Sequence, residues 1–132
     1  GDAIDVSGAD LSVSFTVISE VGDKAVSAGE NSLVQIDNTQ IENIGIGIAS
    51  KDSSTVSIND SIISKANHMA LAAFVKKPEY GPATIKANKL TISDTNLISI
   101  VQTDSTVILN GVTQDTTEIN VNDLYAQGIL GN

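Results

Sequence analysis

The sequence predicts an all-β fold, a right-handed single-stranded parallel β-helix of about five coils closed by a C-terminal cap. Three observations point there. The phrase Thr55-Val56-Ser57-Ile58-Asn59 returns in altered form at Ser12–Thr16, Leu33–Asp37, Thr84–Asn88 and Thr106–Asn110, at intervals near 22 residues. These short β-branched runs are separated by Gly, Asn, Asp and Ser, the pattern of coils that stack because none can bury its apolar side alone. Finally, apolar residues make up 41% of the chain but aromatics only 3%, so the interior must be layered from Val, Ile, Leu and Ala.

Within each coil the first strand supplies two inward columns. One is Val13, Val34, Val56, Ile85 and Val107; the other, two residues on, is Phe15, Ile36, Ile58, Ala87 and Leu109. Side chains two apart on a strand share a face, so both columns point into one core. A polar column follows at Thr16, Asp37, Asn59, Asn88 and Asn110. Its asparagines, Asn59, Asn88 and Asn110, are expected to form a turn ladder, with stacked amides bonding from coil to coil.

A second strand is anchored by Ile18, Ile41, Ile63 and Ile92. It ends at Gly22, Gly45, Asn67 and Asn96, residue types that tolerate the positive φ of a sharp corner. The spacing of these corners is 23, 22 and 29 residues, and the seven-residue excess marks an insertion at 76–82, KKPEYGP. Parallel crossovers are right-handed in nearly all known cases. About five coils at about 4.8 Å per strand pair make a stack about 25 Å tall.

The strands after each corner lack clean alternation, which is typical of strands covered on both sides. With Ala25, Ile48, Ala70 and Ser99 pointing inward, Val26, Ala49, Leu71 and Ile100 form an outer apolar stripe. Such a stripe marks contact with another domain, a second subunit or the chain's own tail; Leu124, Tyr125, Ile129 and Leu130 are the nearest means of covering it, ahead of a homodimer. The chain therefore divides into coils over 1–115 and a capping tail over 116–132, in which Asn122 or Asp123 caps a short helix or turn. The coils open in repeat-like sequence at Gly1-Asp2-Ala3-Ile4, as a fragment of a longer solenoid would.

In its repeat rhythm and asparagine column, over about residues 1–112, the chain resembles the right-handed parallel β-helix repeat proteins of the pectate-lyase-like superfamily. That resemblance implies an architecture shared by bacterial polysaccharide lyases, glycoside hydrolases, adhesins and non-catalytic modules of secreted proteins, so it selects no activity. The superfamily's lyases use clustered carboxylates on calcium and a basic residue, usually arginine. This chain has no arginine, and Asp37, Asp60, Asp94 and Asp104 fall at turns. Its hydrolases need grouped aspartates beside a glycine-flanked histidine, a setting that His68 in Asn67-His68-Met69 lacks. No catalytic residue is assigned.

Charge narrows the partners. Sixteen acids against seven lysines give a net charge of −9, which repels phosphate backbones and excludes nucleic acid as a partner. No cysteine is available for a thiolate metal site, and no run is apolar enough to span a bilayer. No metal site or cofactor is expected; the acidic turns, oxygen-only sites, imply weak calcium binding at most. The prolines of the insertion stiffen a loop that presents Lys76, Lys77, Glu79 and Tyr80, where Tyr80 can stack on a sugar ring and the lysines meet a carboxylate. The reading is a non-catalytic scaffold or carbohydrate-binding module of a larger extracellular or cell-surface protein, monomeric or homodimeric, contacting polysaccharide or another protein domain. The contrasting reading is a fragment of a lyase or hydrolase acting on acidic polysaccharide.

Overall fold

A computed structural model describes residues 1–132. The chain winds into a parallel β-solenoid of about five turns. Its strands are β1 (Ile4–Ser7), β2 (Asp10–Ser14), β3 (Val17–Gly29), β4 (Leu33–Asp37), β5 (Gln40–Lys51), β6 (Thr55–Phe74), β7 (Thr84–Ser93), β8 (Leu97–Val101), β9 (Thr106–Leu109) and β10 (Val112–Thr113), followed by one helix, α1 (Val121–Ala126). Every pairing is parallel except that of β10 with β9. Each coil has three faces. The first carries β2, β4, the start of β6, the start of β7, and β9. The second is built from the first halves of β3 and β5, the middle of β6 and the end of β7, the third from β1, the ends of β3, β5 and β6, and β8.

On the first face the expected alternation holds from the second coil onward. Val34, Val56 and Ile85 are in register, as are Ile36, Ile58 and Ala87, all buried in the inner cluster of 23 residues. Burying each of the branched side chains is worth about 1.5–3 kcal/mol. The first coil is offset by two residues from the expected alignment. Leu11 pairs with Val34 and Val13 with Ile36, so Phe15 falls beyond the strand, at φ 49° and 83% exposed rather than in the core.

The corners also differ from expectation. Left-handed backbone occurs not at Gly22, Gly45, Asn67 and Asn96 but two residues earlier, at Glu20, Asn43, Lys65 and Asp94, and at the preceding corner in Phe15, Asn38, Asp60 and Lys89. A single left-handed residue costs about 1–2 kcal/mol, a strain offset by the strands paired on either side of each corner. Gly45 has a different duty: a Cβ there would lie 2.9 Å from the Asp23 carbonyl oxygen, so the glycine permits close approach of adjacent coils.

Of the expected asparagine ladder, one rung exists. Asn59 donates to the Asp37 carboxylate at 3.3 Å, Asn88 is exposed and makes no side-chain hydrogen bond, and Asn110 instead brackets Leu90, donating to its carbonyl at 2.9 Å and accepting from its N–H at 3.0 Å. The rungs between coils are hydroxyls. Ser32 accepts from the Ala9 N–H, Ser54 from the Ser32 N–H and Ser105 from the Ala83 N–H, at 3.0–3.1 Å; Ser61 does the same for Thr39 at the next corner. These serines are buried, and a buried N–H without such a partner would cost about 1–3 kcal/mol.

The third face is covered on both sides, as its sequence implies, but by a different set of side chains. Val26, Ile48 and Leu71 share one register and all face the inner cluster, so Val26 and Leu71 are not part of an outer stripe. Ala49 and Ile100 are outer, aligned with Ala72 and joined by Ile46, Met69 and Phe74. The reason lies in two consecutive residues, Ala70 and Leu71, that both turn inward; a bend there resets the alternation.

The tail supplies the second layer. Residues 112–117 first close the last coil: β10 pairs antiparallel with β9, and Thr117 donates to Val101 and accepts from Thr103. The chain then crosses the third face. Val121 and Leu130 are buried against the outer cluster, with Ile119, Leu124, Tyr125 and Ile129 packed beside them. Helix α1 is capped by Asn120, whose side chain accepts from the Asp123 N–H at 3.1 Å, rather than by Asn122 or Asp123. The strap ends on the first coil, where the Asn132 N–H donates to Asp23 at 3.0 Å across 109 positions of sequence. At that same end of the stack, β1 and β2 are each paired along one edge only.

Candidate functional site

Four of the seven lysines converge where the third face, the insertion and the strap meet. Lys24 and Lys51 come from opposite ends of the third-face segments, Lys76 and Lys77 from the insertion. In a chain with net charge −9 this is a concentration of lysines, set among Asp2, Asp5, Asp23, Glu30 and Asp52, and it is the place where a site can be built.

The insertion does not project freely. Its main chain is pinned to the turn of the coil below, because Asp52 accepts from the Lys76 and Lys77 N–H groups at 2.7 and 2.9 Å. Ser53 binds Gly81 at both ends, its N–H donating to the Gly81 carbonyl at 2.9 Å and its hydroxyl accepting from the Gly81 N–H at 2.8 Å. The expected loop residues thereby separate. Lys76 and Lys77 are brought to a shared cleft; Glu79 is exposed outside it and Tyr80 is half-buried. Lys77 pairs with Glu30, and that ammonium, then the Ser7 hydroxyl, hold the Glu30 carboxyl below its ordinary range.

Lys24 is buried almost completely, with 1% of its surface exposed. Its ammonium lies 3.0 Å from Asp23 and 3.9 Å from Asp2. Burial pushes the Asp23 carboxyl upward, but the Asn132 N–H and the Lys24 ammonium together leave it below its ordinary value of 3.8. Gly131 lets the strap close on this pair: at φ +89°, with a Cβ that would fall 1.9 Å from the Asp23 carboxylate, no other residue fits. Tyr125 lies between two cations, its ring centre 5.6 Å from Lys24 Nζ and 4.6 Å from Lys76 Nζ. It meets Phe74 edge to face at 5.9 Å, and its buried hydroxyl has no hydrogen-bond partner.

Lys51 completes the cleft, a cavity of about 190 Å³. Its stem lies against Gly29 of the coil below. Burial, then the neighbouring charges of Lys24 and Lys76, hold its ammonium below the usual lysine range.

Sequence reasoning missed Lys24 and Lys51. The available signal was a lysine at each end of runs otherwise almost free of charge, Lys24-Ala-Val-Ser-Ala and Gly-Ile-Ala-Ser-Lys51. The other singled-out residues serve the fold: Val26 and Leu71 lie in the inner core, Ala49 and Ile100 under the strap, and Asn59, Asn88 and Asn110 at the first corner. His68 is half-buried and outside the cleft. No helix is long and apolar enough to cross a membrane. Comparison with protein-family models, with curated proteins and with solved structures found no match to this chain.

Proposed function

We propose that this chain is a non-catalytic β-solenoid module of a larger secreted or cell-surface protein, acting as a rigid support for contact with an acidic glycan or with another protein. The observation that carries the reading is the gathering of Lys51, Lys76 and Lys77 around one open cleft of a strongly acidic body. Stacked coils fix the third face, the strap locks it from outside, and the pinned insertion adds Lys76 and Lys77 to a preformed surface. Preorganisation of that kind reduces the ordering cost of binding. Tyr80, half-buried on the same insertion, offers an aromatic face beside the charges.

Affinity electrophoresis of the protein through gels containing an acidic or a neutral polysaccharide tests this. Retardation by the acidic polymer alone, weakened in Tyr80→Ala with an unchanged melting temperature, is the expected result; equal migration in both gels dismisses glycan contact. Incubation with a uronate-containing polysaccharide, with and without calcium, tests the non-catalytic part. Turnover that chelation abolishes would overturn it in favour of a lyase.

A further inference from the structure

Lys51 is an anomaly in the charge distribution. Acids outnumber lysines by sixteen to seven, and Lys24 and Lys77 each have a carboxylate partner, yet Lys51 and Lys76 make no ion pair. Both line the same cavity. Each ammonium carries three donors; Lys51 is held low first by burial and then by the like charges of Lys24 and Lys76. An oxyanion seated between Lys51 and Lys76 would accept from both and reverse the repulsion.

The rest of the wall says what carries the anion. Asp5, Glu30 and Ser7 present acceptors to the cavity, Asp52 is buried and already accepts from the Lys76 and Lys77 N–H groups, and Val6 is the one apolar side chain. Carboxylates and ammonium groups lining one cavity suit a molecule that carries both an anionic group and hydroxyls. At about 30 Å³ per water, the volume accommodates about six waters, the room needed by one sugar ring. We propose that the Lys51–Lys76 cleft binds an oxyanion group, carboxylate or phosphate, borne by a small polyhydroxylated molecule of about one sugar unit. The lysines take the anion, and Asp5, Glu30 and Ser7 take the hydroxyls. This deepens the reading of the lysine side as the binding side.

The test titrates the whole chain with galacturonate, glucose 6-phosphate, inorganic phosphate and glucose, by calorimetry and by the NMR signals of the lysine ε-methylenes. The charged sugars should bind with a Kd on the order of 1 mM, inorganic phosphate more weakly and glucose not at all. Preference between the two charged sugars assigns the anion. Lys51→Gln should weaken binding about tenfold or more, as should the more exposed Lys76→Gln, whereas Lys86→Gln on the first face should not. Bound anion should also raise the pH at which the Lys51 signal titrates. Binding unaffected by Lys51→Gln and Lys76→Gln, glucose binding as well as the charged sugars, or no Lys51 response to any anion would each overturn the proposal. Polymer retention that survives both substitutions would reject the cleft while leaving the binding-module reading intact. Sugars that bind through Lys51 without any polymer retention would support the cleft and reject polysaccharide contact.

Discussion

The first and third faces of the solenoid are made by the same coils yet obey different rules. On the first face, Thr55–Asn59 alternates strictly, with Val56 and Ile58 inward and Ser57 outward against water. On the third, Met69–Phe74 is buried throughout, and the inward set is Ala70, Leu71 and Ala73 while Met69, Ala72 and Phe74 lie beneath the strap. The difference teaches that a one-layer sheet face is governed by the pleat, whereas a face buried on both sides is governed by where the backbone bends and what covers it.

The largest expected break in that comparison comes from one charge placed on each face. Leu71→Asp puts an unpaired carboxylate in the inner core and should cost more than about 4 kcal/mol or prevent folding. Ser57→Asp, half-exposed between Gln35 and Lys86, should stay within about 0.5 kcal/mol. Urea denaturation followed by circular dichroism reads both; similar losses would mean that the faces are wrongly assigned.

Phe74→Ala empties the outer layer without touching the inner one. A loss of about 3–4 kcal/mol is expected, accompanied by faster amide exchange in residues 119–130. Loss of stability with the strap still fully protected would place Phe74 elsewhere.

Acid acts on the strap's last contact. Because the folded-state pKa of Asp23 lies below 3.8, its contribution is complete above that pH and lost as pH falls through the lower folded value. Protection of the Asn132 amide should therefore be steady from pH 7 to 5 and decline below about 3.8, while the amides of β4 on the first face hold longer; simultaneous loss would contradict a separable strap.

The smallest effect has the opposite sign. Tyr125→Phe removes a buried hydroxyl that has no partner, so it should leave stability unchanged or raise it by about 1 kcal/mol, and a loss above about 1 kcal/mol would reveal a bond to that oxygen.

Much of this was legible in advance for a physical reason: a repeat reports contacts between coils, and Val34, Val56 and Ile85 meet where their shared rhythm puts them. Phe15 misled because the first coil resembles the others both as Ser12–Thr16 and as Asp10–Ser14, and only the register with Leu33–Asp37 decides between them. Leu71 misled because apolar residues on both faces erase the alternation that would locate a bend. The hydroxyl rungs were open to view, as Ser32, Ser54, Ala83 and Ser105 keep the spacing of the apolar columns one residue ahead of each first strand. The cleft was half visible: the insertion declared itself by breaking the period, but nothing local announces that Lys51, twenty-five positions before Lys76, faces the same space.

Stacked repeats usually tolerate gain or loss of a unit, since each contacts only its neighbours. Here Thr117 is fastened to the last coil and Asn132 to the first, so the strap works as a gauge of fixed length laid along the column. An added coil would lengthen the column by about 4.8 Å and carry Asp23 out of reach of its partner. The number of coils between those anchors is therefore set by the tail.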